Sequence, residues 1–166
     1  MKKTLTLVTL LTIQILLATH AGAATVRYDR DKHADFATYR KVAWAQEPAT
    51  GSEAIADARI RTAIEAELEK KGYALVETGE ADLTVEYFAV VRERREVSET
   101  GGPLLGRNYR LRSQPEGTLI VSFQDVKSGR MVWHGAVTDG LASNPDKADK
   151  KTEKAVAKLL EDFPTR

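Results

Sequence analysis

The chain has 166 residues, with 25 Lys and Arg against 24 Asp and Glu, three His and no Cys. A charge so near neutrality argues against a general nucleic-acid binder and against strong attraction to an anionic membrane. The lack of Cys excludes disulfide staples, thiolate metal sites, a Cys nucleophile and a lipid anchor carried on Cys.

At the amino terminus, Lys2 and Lys3 precede an apolar run over residues 5–18, and Ala21-Gly22-Ala23-Ala24 follow. This is the layout of a secretory signal peptide cleaved after Ala23 or Ala24. Gln14 and several Thr interrupt the run, which is too short for a retained membrane span. The expected organisation is a leader over 1–24 and a single domain over 25–166, released into the periplasm or outside with no stable membrane anchor. The leader holds two lysines and no acid, so about 143 residues remain with 23 basic against 24 acidic groups, the usual size of one domain.

Residues 25–28 read as a first strand with Val26 and Tyr28 on one face. Residues 29–35 are turn-like, and Asp35 can cap a brief helical turn through Phe36 and Tyr39. Val42 and Trp44 share a face of a second strand over 41–45. A helix follows over 52–71, because Ile55, Ala56, Ile60, Ala63, Ile64 and Leu68 recur every three or four residues. Ser52 is its expected N-cap and Gly72 its stop.

The longest strand is expected over 82–97, with Leu83, Val85, Tyr87, Ala89 and Val91 on one face and Phe88 and Val90 on the other. Its end, Arg92-Glu93-Arg94-Arg95-Glu96, is a solvated extension whose charges blunt an exposed edge. Residues 99–103 turn, and 106–112 form the returning arm of a long hairpin. A strand over 117–126 points Leu119, Val121 and Phe123 inward, and Lys127-Ser128-Gly129 makes a tight turn. The next strand, 130–137, places Met131, Trp133 and Val137 together. A last helix starts at the cap Asn144 with Pro145 in its first turn, carries Thr152, Ala155, Val156, Leu159, Leu160 and Phe163 as its stripe, and stops before Pro164. The order predicts an α+β fold: a two-layer sandwich with a mainly antiparallel sheet and two helices packed on one face.

Few residues invite chemistry. Asp29, Asp31, His33 and Asp35 alternate like ligands, but Arg30 and Lys32 interleave, and a solvated turn is the favoured reading over a metal site. His134 needs a nucleophile and an orienting acid to act as a base; Ser122 and Asp125 lie near in sequence but alternate to opposite faces, so a structural His is favoured. Residues 107–112, with Tyr109 and Arg110, mix an aromatic with cations, as binders of anionic polymers do, or form a charged arm kept soluble. Gly101, Gly102 and Gly106 lack the strand–loop–helix order of a phosphate cradle. On the outer sheet face, Phe88, Val90, Ile120 and Val132 are expected to form an apolar patch, either open to a partner or covered by the hairpin over 92–116.

Several blocks resemble one family. Val26-x-Tyr28-Asp29, Asp35-Phe36-x-x-Tyr39-x-x-Val42-Ala43-Trp44 and Leu68-x-x-Lys71-Gly72-Tyr73 are similar to the opening of the domain-of-unknown-function 4136 family. Ala81-Asp82-Leu83-x-Val85-x-Tyr87, Gly117-Thr118-Leu119, Val132-Trp133-His134-Gly135 and Phe163-Pro164 resemble its later blocks. The resemblance implies a bacterial envelope domain of two-layer build, often a lipoprotein, with no assigned activity, cofactor or catalytic residue. Two departures are the missing lipobox Cys and a charged middle loop in place of one rich in Gly and Tyr.

The expectation is therefore a non-enzymatic domain, without cofactor, metal or nucleic acid, that binds a partner protein or envelope component through Phe88, Val90, Ile120, Val132, Tyr109 and Arg110. A small-molecule or lipid carrier is the alternative, and a hydrolase using His134 the third class.

Overall fold

A computed structural model describes residues 24–100, 108–142 and 144–166. The expected leader, apart from Ala24, and the glycines of the 101–107 loop lie outside the described residues. The described chain is α+β, with strands β1 (Thr25–Arg30), β2 (Lys41–Trp44), β3 (Ala74–Leu75), β4 (Leu83–Thr100), β5 (Asn108–Asp125) and β6 (Met131–Gly140), and helices α1 (Ala54–Lys70) and α2 (Pro145–Leu159).

The strands form a single mixed sheet in the order β1-β6-β5-β4-β2-β3. The ladders β1/β6, β6/β5 and β5/β4 are antiparallel, whereas β4/β2 and β2/β3 are parallel. The sheet is mainly antiparallel, as expected, but mixed, with a short parallel edge at β4/β2 and β2/β3 that the sequence did not predict. The cause of that edge is α1, which carries the chain from β2 across to β3 and β4, and such a crossover returns the next strand in the same direction. Strand β3, only two residues long, has no periodicity to announce it.

Local signals placed most boundaries. Gly72 at φ +87° ends α1, and Gly129 at φ +67° closes the β5–β6 turn, where an L side chain would be strained. Asn144 Oδ1 accepts the Asp146 amide at 2.8 Å and Pro145 opens α2. At α1 the expected cap differs. A 3₁₀ turn over Gly51–Glu53 precedes the helix, and Glu53 occupies the N-cap without a side-chain hydrogen bond.

The core draws Leu83, Val85, Leu119, Val121, Phe123, Trp133 and Val137 from alternate positions of β4–β6. Ala63, Ile64 and Leu68 of α1 and Val156 and Leu159 of α2 join the same cluster. Phe163, just past α2, stacks on Phe123 with centroids 4.2 Å apart and meets Trp133 edge-on at 5.5 Å. Such pairs add to the area that they bury.

Two stripe predictions fail in instructive ways. Ile55 is 75% exposed and Ala56 is exposed, so the first turn of α1 does not reach the core. In its place Asp57 and Arg61 are buried. Val132, expected on the outer face, is 3% exposed and belongs to the core. Phe123 pairs Trp133 while Gln124 pairs Met131, so Val132 is the extra residue of a β-bulge. The bulge breaks the alternation: Val132 turns inward and Met131, expected beside Trp133, is left exposed.

Candidate functional site

On the outer face, Phe88 pairs directly with Ile120, and Ile120 with Ala136 on the next strand. Phe88 is 59% and Val90 41% exposed, and Ile120 is half-buried. Three of the four expected patch residues therefore lie together, while Val132 is withdrawn by the bulge.

The 92–116 hairpin does not fold over this patch. β4 and β5 stay paired from Leu83↔Asp125 to Thr100↔Asn108, so beyond Val91↔Gly117 nine further pairs run on as a two-stranded ribbon. At about 3.4 Å per residue the ribbon projects about 30 Å. Alternation gives it two faces. One carries Val91, Val97, Tyr109 and Leu111 together with Glu93, Arg95 and Glu99, continuing the inner face of the sheet; the other carries Arg92, Arg94, Glu96, Arg110, Arg112 and Glu116. Tyr109 and Arg110 thus lie on opposite faces, both exposed. Val97 and Leu111 face each other across the ribbon, and Leu111 is 76% exposed. The sequence offered residues 107–112 as a binder of anionic polymers or a charged arm kept soluble, with Tyr109 and Arg110 as binding candidates; Val97 and Leu111 went unnoticed because period-two alternation hides them among Arg and Glu.

Between α1, α2, the middle of β4 and β5 and the end of β6 lies a cleft of about 330 Å³. Its floor includes Ala89, Val91, Leu119 and Val137, and Ala56 and Ile60 of α1 and Ala155 of α2 form its walls. The unburied start of the α1 stripe is thus one wall of an open space. Lys151 pairs with Asp139 at 3.5 Å at its mouth, and Arg59 pairs with Asp149.

Ser122 and His134 are directly opposite on β5 and β6, and Ser122 Oγ lies 3.0 Å from His134 Nδ1. Ser122 is buried, and neither residue lines the cleft. Asp125 is elsewhere engaged: it accepts the Tyr39 hydroxyl at 2.7 Å and the Ser128 amide at 2.9 Å. These bonds hold its carboxyl below the usual range, while burial first, then Asp125, push Tyr39 up to about 12. In the 29–35 segment each acid serves local backbone or an ion pair. Asp29 accepts the Arg30 amide, Asp31 the His33 amide and the Arg130 guanidinium, and Asp35 the Ala37 amide.

One buried polar network escaped the sequence reading. Asp57 accepts the Tyr87 hydroxyl at 2.5 Å, Arg61 Nε at 3.0 Å and the Ala49 amide at 3.1 Å. Arg61 also donates to the carbonyls of Gln46 and Glu47 and lies 4.3 Å over the Trp44 ring, whose Nε1 donates to Glu65. Burial opposes the Asp57 charge, but the donors from Tyr87, Arg61 and Ala49 outweigh it and hold its carboxyl below the ordinary value. Every arm ends on a protein group, so the network pins the 46–50 loop to α1. The i, i+4 spacing of Asp57 and Arg61 was the available signal.

Comparison with known proteins places the fold. The chain is similar to a PDZ domain protein from Parabacteroides distasonis, at a TM-score of 0.58 and 16% identity over 85% of this chain and 36% of that one. The chain thus spans about a third of that protein's length. It is also similar to PelC from Paraburkholderia phytofirmans, solved as a dodecamer, at a TM-score of 0.56 and 16% identity, over 87% of this chain and 99% of that one. At such identity the likeness concerns the fold alone. No curated protein matches the sequence. The family model for Domain of unknown function (DUF4136) matches residues 26–165, and the chain belongs to that family.

Proposed function

We propose that this is a secreted, non-enzymatic binding domain that engages a partner protein or envelope component through its outer sheet face and ribbon. The finer architecture in this reading is a two-layer sandwich with both helices over the inner face. Inner-face contacts support it: Tyr87 bonds Asp57 of α1, and a Cβ placed on Gly135 would lie 2.9 Å from Leu159 of α2. The observation that carries the function is the unshielded apolar surface, Phe88 and Val90 outside and Val97, Tyr109 and Leu111 on the ribbon. A two-stranded ribbon has marginal stability in water, and apolar rows of this kind mark interaction surfaces.

The test is crosslinking in secreting cells followed by purification. The unaltered chain should yield a discrete adduct, and Phe88→Asp with Ile120→Lys should lose it while unfolding at the same temperature. An unaltered chain without adducts overturns the reading. The cleft favours a second reading, a carrier of a small apolar ligand, since its volume lies at the lower end of ligand pockets. Native mass spectrometry of protein taken from cells should then show added mass, and a bare chain counts against it.

A further inference from the structure

We propose that the open edge of β4 over residues 89–97 takes up an extended peptide as an added strand, one whose side chains on the outer face run from apolar to acidic. The proposal rests on reading the ribbon as a protein-binding element, and it names the mode of recognition and the chemistry of the partner.

The edge opens where β2 stops. β2 pairs with β4 only from Leu83 to Val85, whereas β4 continues to Thr100. On that side the odd-numbered residues of β4 turn their main-chain groups away from β5. The Val85 carbonyl accepts the Ala45 amide at 2.9 Å, and the Tyr87 amide donates to Gln46 Oε1 at 3.0 Å. A side-chain amide there holds the place that the next carbonyl of a neighbouring strand would take. Past it, the same alternation directs the amides and carbonyls of Ala89, Val91, Glu93, Arg95 and Val97 outward, and these have no main-chain partner among the described residues. Ala89 and Val91 are exposed, so the edge is not covered there. Such an edge is a template for another strand.

The side chains beside the edge set the partner. On the outer face the row is Phe88, Val90, Arg92 and Arg94. Phe88 and Val90 belong to the exposed apolar patch. Arg92 makes no ion pair among the described residues, and Arg94 meets Glu96 at 3.1 Å and Glu116 at 3.5 Å. One strand farther in, Arg110 and Arg112 share this face, so it carries four arginines against two glutamates, both of them already bound to Arg94. On the inner face the row is Ala89, Val91, Glu93, Arg95 and Val97, in which one acid and one base offset each other. An added strand therefore gains from apolar groups beside Phe88 and Val90 and from carboxylates beside Arg92 and Arg94, and needs no charge on its other face.

Amide exchange of the full secreted chain, followed by NMR, tests the proposal with a synthetic probe. The probe is a capped peptide alternating threonine with valine, valine, glutamate and glutamate, used together with its reverse-order form because a strand can add in either direction. With peptide in excess, the amides of Ala89, Val91, Glu93, Arg95 and Val97 should exchange more slowly. Those of Val90, Arg92, Arg94 and Glu96, already directed at β5, should not change. Lysine in place of glutamate in the probe should weaken binding about 10-fold, since two cross-strand pairs become repulsive. Glu93→Pro removes one outward donor, leaves the ladder to β5 intact and should weaken binding about 30-fold. Absent protection, protection that ignores the alternation, or a lysine probe that binds as tightly overturns the proposal. So does alternate protection in the peptide-free chain that grows with its concentration, because a second copy then takes the edge. If a crosslinked adduct with another protein persists undiminished in Glu93→Pro, the binding reading stands and this inference alone fails.

Discussion

Gly135 offers a sharp test of how the core is built. Its neighbours would be met at once by any added side chain: a Cβ there would lie 2.9 Å from Leu159 Cδ1, 2.9 Å from Trp133 Cζ3 and closer still to Trp133 Cη2. Neither group can move aside. Trp133 and Leu159 are fully buried, and the indole is wedged against Phe123, Phe163 and Tyr28. Gly135→Ala is therefore an overpacking substitution at the upper end of its range, about 3 kcal/mol. Loss of unfolded-state freedom offsets about 0.5 kcal/mol of this. For a domain of this size the net should lower Tm by about 8–10 °C. Gly117→Ala is the matched control. Its Cβ would meet only Leu141, Cδ2 at 2.6 Å, the free end of a half-exposed side chain. That methyl can swing away, so the cost should stay within about 0.5 kcal/mol. Urea unfolding followed by Trp fluorescence measures both. If Gly135→Ala matches the unaltered chain, or Gly117→Ala is equally costly, the account of this packing is wrong.

Other outcomes follow from the polar groups. Asp57→Ala leaves Arg61 buried without its carboxylate and should cost about 3–5 kcal/mol in urea unfolding, whereas Asp57→Leu with Arg61→Met should restore most of it. Acid should weaken the fold through Asp57, Asp82 and Asp125, all held below their ordinary value. A depressed folded pKa stabilises above the unfolded value, near 3.8, and that contribution disappears as pH falls through the folded value; unfolding midpoints at pH 7 and pH 2 should differ, and Asp82→Asn should shrink the difference. Tyr39 and Tyr87 run the other way. Burial first, then hydrogen bonds to Asp125 and Asp57, push both to about 12, so their stabilisation is full below pH 10 and lost as pH rises toward 12. Tyr87→Phe should flatten that alkaline slope.

The sequence by itself determined the elements with strong local codes. The Asn144-Pro145 start of α2, the stop at Gly72 and the turn at Gly129 depend on one or two residues and their own backbone, so they are legible without a fold. The alternation of Leu119, Val121 and Phe123 likewise marked the inner face before any neighbour was known. The resemblance of the Val132–Gly135 block to a known family gained its reason only from packing, since Gly135 is small because Trp133 and Leu159 crowd it.

Tertiary structure decided the rest. Whether the α1 stripe was buried depended on how far its first turns stand from the sheet, and there Ile55 remained outside while Asp57 and Arg61 went in. The bulge at Val132 is a property of two strands in register and has no signature in one of them. The parallel pairing of β2 arose from a crossover that spans some forty residues. The apolar row on the ribbon became visible only when β4 and β5 were paired, because Val97 and Leu111 are neighbours across the ladder and fourteen residues apart along the chain. Surfaces that bind are made of such juxtapositions, and a linear reading holds the parts without their distances.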